Sequence, residues 1–154
     1  MKIAIGCDHA GFKLKEKIKT GLSKDGHEVE DYGTYSLGSC DYSEYALRVA
    51  RAVRLKRSKR GILVCATGIG MSMAANKIPG IRAGLCHNLE GARLSRQHND
   101  ANILVLGAKF TKPAEAVKMS RTWLKTKFSG GRHARRLRKI AGIEKTVAVK
   151  LLEK

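Results

Sequence analysis

Several things are scarce in this 154-residue chain. Two prolines leave no material for a proline-rich linker or stalk. No apolar run approaches the roughly 18 residues that cross a bilayer, so no membrane partner is expected. The opening Met-Lys-Ile-Ala-Ile-Gly runs straight into strand-like sequence with no signal-peptide cleavage site, and the expected compartment is the cytoplasm. The four cysteines, Cys7, Cys40, Cys65 and Cys86, form no CxxC pair, which excludes a zinc ribbon or a thioredoxin motif. A disulfide framework is not expected in a cytoplasmic chain of this size, and each cysteine reads first as a small buried hydrophobe. Aromatic residues are only 5%, so no base-stacking platform is visible. Acidic residues are scarcest relative to their counterpart: 13 Asp and Glu face 31 Lys and Arg, giving a net charge of +18. Such a balance steers anionic ligands but does not by itself specify nucleic acid.

Hydrophobic residues at 43% suit an ordinary globular protein, and the length suits one domain with its own core. Short apolar runs alternate with longer helical periods. Strands are expected at residues 2–6, 28–32, 61–66, 81–86 and 102–106. Helices are expected at 12–24, 42–55, 71–77, 89–97 and 113–128. In the first helix Phe12, Leu14, Ile18 and Leu22 mark the inner face, with lysines on the other. Ile62-Leu63-Val64 and Ile103-Leu104-Val105-Leu106 are apolar on both faces, as in a sheet covered by helices on both sides. Five successive βα units imply a three-layer α/β/α, Rossmann-like domain with a five-stranded parallel sheet. Gly130-Gly131 breaks the chain, and a basic helical arm follows over about 130–154. The whole of 1–154 reads as a single domain.

In open parallel sheets, ligands bind beyond the carboxyl ends of the strands. After the third strand, Thr67-Gly68-Ile69-Gly70 leads into a helix. It reads either as a tight strand-to-helix turn or as an anion site built from backbone N–H groups. It is neither a P-loop nor a dinucleotide fingerprint, because Gly-Lys-Ser/Thr is missing and Met73 stands at the third glycine position. Cys65 opens that loop; a helix start favours the thiolate form, which could serve as a base, against the alternative of a core cysteine. Asp8 and His9 follow the first strand and could cap a helix or hold a sugar phosphate. Ser95-Arg96-Gln97-His98-Asn99-Asp100 reads as a polar connection before the fifth strand. His98 therefore belongs at the edge opposite the candidate site; a catalytic role would place it in another subunit's site. Arg132 and Arg136, four apart on a helix, can clamp one phosphate or form part of a solvated basic face.

Gly6-Cys7-Asp8-His9, Asp41-Tyr42, Cys65-Ala66-Thr67-Gly68-Ile69-Gly70, Ala75-Asn76-Lys77, Ser95-Arg96-Gln97-His98-Asn99-Asp100 and Gly130-Gly131-Arg132-His133 together resemble type B ribose-5-phosphate isomerase. The resemblance runs in register to about Ile143. It extends to the galactose- and allose-6-phosphate isomerases of the same family. It implies an aldose–ketose isomerase, working without metal or cofactor, that interconverts ribose 5-phosphate and ribulose 5-phosphate through a cis-enediolate. It implies Cys65 as the base, His98 as the acid in ring opening, Asp8 as its helper and Thr67 as a partner of the sugar oxygens. The amides of Gly68, Ile69, Gly70 and Met71, with Ser72, are implied as the anion hole. His9, Arg132 and Arg136 are implied as phosphate ligands, and Tyr42, Asn99 and Lys109 as further contacts. The family's assembly implies a homodimer, with a tetramer as the larger form, sites between subunits and the arm packed on the partner.

This sequence departs from the family in carrying Lys109 where Arg is common and Ser43 where Pro follows Asp-Tyr. It also carries five cations in Arg54-Leu55-Lys56-Arg57-Ser58-Lys59-Arg60. A guanidinium-to-ammonium change keeps charge and loses bidentate geometry. Two rival readings remain: a hexose-6-phosphate isomerase of the same fold, and a polyanion-binding protein that keeps the fold. The second rests on the charge alone and has no recognised nucleic-acid motif behind it.

Overall fold

The protein's structure, a computed structural model, describes residues 1–152. Five strands run β1 (Lys2–Cys7), β2 (Glu28–Asp31), β3 (Arg60–Cys65), β4 (Ala83–Leu85) and β5 (Ile103–Gly107). Between and after them lie α1 (Phe12–Lys24), α2 (Tyr42–Arg54), α3 (Ile69–Ala75), α4 (Leu89–Asn99), α5 (Pro113–Lys125) and α6 (Gly131–Leu152). All strand pairs are parallel, in the order β2-β1-β3-β5-β4. This is the expected α/β/α sandwich. Among the described residues no helix is long and apolar enough to cross a membrane.

Strand alternation sorts the core onto two faces. Ile3, Ile5, Ile62, Val64, Leu104 and Leu106 pack with Leu14, Ile18, Leu22, Met119 and Trp123 on one face. Ala4, Leu63, Cys65, Ile103 and Val105 pack with Val49, Ala50, Val53 and Met71 on the other. The chain runs from β1 outward to β2, then returns across β1 to β3. The loops after β1 and β3 therefore diverge and leave a crevice between them, the usual ligand position in such sheets.

Several boundaries differ from the sequence reading. β4 holds only Ala83–Leu85, because Gly80 turns with φ 82° and Ile81 N–H closes that turn on the Ile78 carbonyl. The side chain of Asn76 covers the strand's outer edge, accepting from Ala83 N–H and donating to its carbonyl. α3 begins at Ile69 rather than 71, since the left-handed Gly68 completes the turn first. α4 continues to Asn99 and stops at the left-handed Asp100, so residues 95–99 are its last turn and not a loop. α5 ends at Lys125, three residues early, where Thr126 becomes extended. The basic arm is one helix, α6, lying beside α4; Glu144 on it accepts the Gly80 N–H at 3.0 and 3.1 Å. The expected unit runs to residue 154, and residues 153–154 lie outside the described residues.

The assignment of α1's lysines to the outer face fails at Lys15, which is completely buried. Its ammonium donates to both carboxylate oxygens of Asp31, at 2.9 and 2.8 Å, and to the Thr34 carbonyl at 2.8 Å. It lies 5.3 Å from the Phe12 ring centroid and 5.0 Å from that of Tyr35. Burial pushes the Asp31 carboxyl up, but Lys15, Lys19 and the Gly33 N–H outweigh it and hold the group below its usual value. Lys15→Met leaves that carboxylate buried without its main partner, and a loss of about 3–5 kcal/mol in urea unfolding is expected. Asp31, with its folded value depressed, contributes stability that is full above about pH 5 and is lost as pH falls through and below about 4. Asp31→Asn should flatten that acid limb of the stability profile; an unchanged limb would show that another carboxylate carries it.

Candidate active site

Cys65 ends β3, the central strand of the sheet, and is buried with 4% exposure. Its surroundings are braced from both sides. Asp8 N–H donates to the Val64 carbonyl, while Ala108 and Lys109 N–H donate to the carbonyls of Cys65 and Ala66. Gly68 then takes φ +83°, which turns its own N–H back onto Cys65 Sγ at 3.0 Å. A Cβ at residue 68 would stand 2.4 Å from Leu85 Cδ1, so glycine is required there for space as well as for conformation. The sulfur thus accepts an N–H, the contact a thiolate uses.

The first turn of α3 follows directly. Ile69 N–H reaches Thr67 Oγ1 at 3.3 Å, and Ser72 Oγ donates to the Ile69 carbonyl at 2.8 Å. The N–H groups of Gly70 and Met71 belong to the helix start, where the helix itself provides no acceptor. Met71 is buried in the core, so its contribution to any anion hole is its backbone. Tyr42, at the start of α2, lies against this turn. A Cβ on Gly70 would fall 2.5 Å from the ring's Cζ and 2.9 Å from its hydroxyl. Across the crevice, the Asp8 carboxylate is buried and accepts the Gly11 N–H at 2.9 Å. His9 Nδ1 accepts the backbone N–H of Cys40 at 3.2 Å. The structure therefore gathers Asp8, His9, Tyr42, Cys65, Thr67, Gly68, Ile69, Gly70, Met71 and Ser72 along one crevice at the C-terminal edge of β1 and β3. Lys109, exposed, follows β5 at the same edge.

His98, Asn99, Arg132 and Arg136 are elsewhere. α4 runs back across the sheet, so its end precedes β5, and Ile103 is paired with Gly61 at the start of β3. Cys65 is paired with Gly107, four residues further along. The two edges are separated by roughly 13 Å of strand. At the far edge the His98 ring stacks on His133 at the start of α6, with centroids 4.2 Å apart and planes within 6°. Burial, and then the charges of His98, Arg132 and Arg136, push the His133 imidazole below its usual range. Arg132 and Arg136 are exposed beside it. Asp100 ties this corner down, receiving Arg96 at 2.7 Å and Arg82 at 2.9 Å.

Three contributors escaped sequence reasoning. His133 sits inside a quoted motif, but its partner is 35 residues away. Cys40 acts through its main chain, which leaves no mark in a sequence. Lys15 sits at a periodic inward position between Leu14 and Ile18, and that spacing was its one visible signal.

The sequence profile described as ribose/galactose isomerase matches residues 3–140. Ribose-5-phosphate isomerase B of Escherichia coli is 47% identical over 143 residues, 93% of this chain and 96% of that one. A solved structure of the Clostridium thermocellum ribose-5-phosphate isomerase B superposes with a TM-score of 0.94 at 52% identity, covering 96% of this chain and 99% of that one. The Mycoplasma genitalium enzyme, solved with bound ribulose 5-phosphate, superposes with a TM-score of 0.89 at 40% identity, covering 94% and 96%. By profile, sequence and structure alike, this chain belongs to the ribose/galactose isomerase family.

Proposed function

We propose that this protein is an aldose–ketose isomerase that interconverts ribose 5-phosphate and ribulose 5-phosphate, with Cys65 as the base. The contact that carries the assignment is the Gly68 N–H on Cys65 Sγ at 3.0 Å, in a buried loop that also begins α3. Enolisation needs a base beside the carbon acid and fixed donors where negative charge develops on oxygen. In the proposed sequence Asp8 and an imidazole assist ring opening. The Cys65 thiolate takes the proton from C2 of the open aldose. Gly70 and Met71 N–H, with Thr67, hold the oxygens of the resulting cis-enediolate. The O2 hydroxyl proton passes to O1 by way of the Thr67 hydroxyl, the thiol returns its proton to C1, and the ketose carbonyl forms at C2. Ser72 spends its hydroxyl proton on the Ile69 carbonyl, so it is left to accept from the substrate.

In this reading the imidazole is that of His98, and it and the phosphate clamp come from a second copy. His98, Asn99, Arg132 and Arg136 stand about a strand's length from Cys65 in their own chain. A dimer that sets the far edge of one subunit against the crevice of the other supplies what each lacks. In that assembly α6 is the arm that carries Arg132 and Arg136 of the partner subunit to the phosphate, where guanidinium forks hold the reacting carbon in register. His9, Tyr42 and Lys109 contribute from the near side.

Ketose formation from ribose 5-phosphate, followed with EDTA present, is expected for wild type. Cys65→Ala should lose about 10²–10⁴-fold in kcat. Full activity in that variant would move the base elsewhere, and a wild type that prefers allose 6-phosphate would move the substrate to the hexose series. Cys65→Ala and His98→Ala, each inactive alone, should regain activity when unfolded and refolded together. Random pairing leaves about a quarter of sites intact in such a mixture. No recovery would place both groups in one subunit's site.

A further inference from the structure

We infer that His9 meets its ligand as an imidazole protonated only on Nε2, a state set by the backbone N–H of Cys40 and held by the buried Lys15. The identity of the ligand rests on the isomerase reading; the state of the ring does not. Cys40 N–H donates to His9 Nδ1 at 3.2 Å, and a ring nitrogen that accepts carries no proton. Turning the ring over would put a C–H against that N–H and leave it without an acceptor, which decides the ring's orientation. The Cys40 thiol, with Sγ 3.9 Å from the same nitrogen, is a second weak donor to it. His9 is left with one donor, Nε2–H, and presents it as a neutral group. The full positive charges on the phosphate are then the arginines' task.

Cys40 lies in the connection between β2 and α2, and that connection is fastened at its two ends. At the near end Gly33 accepts Cys7 N–H at 2.6 Å, and Thr34 N–H donates to the Cys7 carbonyl at 2.8 Å. Lys15 locks this end by donating to the Thr34 carbonyl and to Asp31, and Tyr35 hydroxyl donates to the Asp31 carbonyl at 2.7 Å. At the far end Tyr42 rests on Gly70. Residues 35–39 between them are exposed. Lys15 therefore acts on His9 through the loop. It is a positioning residue, buried in the core and out of reach of substrate.

The test begins with protein carrying ¹⁵N-histidine at pH 8, with the His9 signals identified by their loss in His9→Gln. The expected pattern is a bare Nδ1 and a protonated Nε2. A proton on Nδ1, or on both nitrogens, overturns the inference. Kinetics give a second readout, because the Gln amide nitrogen stands where Nε2 does and the Asn amide nitrogen where Nδ1 does. Both variants should raise KM, and His9→Asn should raise it about threefold or more above His9→Gln. Equal losses in the two variants count against the inference. Lys15→Met should mix the His9 tautomers and raise KM; an unchanged His9 pattern in folded protein removes Lys15 from the arrangement. Should that variant fail to fold, Lys15→Gln keeps an amide donor for Thr34 and should show the same change in smaller degree. An inactive wild type with the expected nitrogen pattern sinks the isomerase reading alone. An active wild type with Nδ1 protonated sinks this inference alone.

Discussion

The left-handed backbone at Gly68 turns the chain from β3 into α3 within three residues, and in doing so it directs an N–H at Cys65 Sγ. The same turn fixes where the first amides of α3 point, and it brings Gly70 under the Tyr42 ring. A side chain at either glycine would collide, with Leu85 in one case and Tyr42 in the other. The turn is held by β3, which has strands on both sides, and by main-chain bonds from the loops after β1 and β5. A base and its oxyanion donors need fixed separation more than they need any particular side chain. Here the spacing is set by backbone within a braced loop, which moves less than side chains on a surface would.

At the far edge the fixing is done by charge instead. Asp100 takes a left-handed conformation to end α4 and collects Arg82 and Arg96. Arg96 also donates to the Ala101 carbonyl and packs over Trp123, whose indole N–H is held by Ser95. These contacts pin the helical turn that carries His98. The stack on His133 then sets the plane of the His98 ring. Two stacked imidazolium rings repel, and burial with three neighbouring cationic groups disfavours charge on His133. The charged form of His133 is thereby disfavoured, and its ring packs flat against that of His98.

The fold was legible because both of its periods are clean: apolar runs in the strands, and three-to-four spacing in α1, α2 and α5. Errors fell where a tertiary contact overrides a local rule. β4 shortened because Gly80 and Asn76 shape its ends, and Lys15 went inside because a carboxylate on β2 waits for it. Cys65 and the Gly68 loop were legible as a strand end feeding a helix. The stack of His98 on His133 was not, because no spacing in the chain links the end of α4 to the start of α6. The same holds for Cys40 and His9, whose contact is made by an atom common to nearly every residue.

The two edges differ in chemistry as well as in place. The crevice at Cys65 offers mostly neutral donors: backbone N–H groups, a threonine hydroxyl and, on the present reading, an uncharged His9. The far edge offers full charges, Arg132 and Arg136 beside His98. An enediolate oxygen is best met by donors that need no reorganisation as charge develops, whereas a phosphate, charged throughout, is best met by guanidinium. On the proposed reading, a phosphate clamp taken from a second subunit keeps those charges at the distal end of the substrate. A net charge of +18 is compatible with this arrangement because Arg132, Arg136 and the 54–60 turn lie at the sheet edge opposite the crevice of their own chain. The scarcity of arginine in the crevice thus depends on where the sheet's topology puts charge, even in a chain this basic.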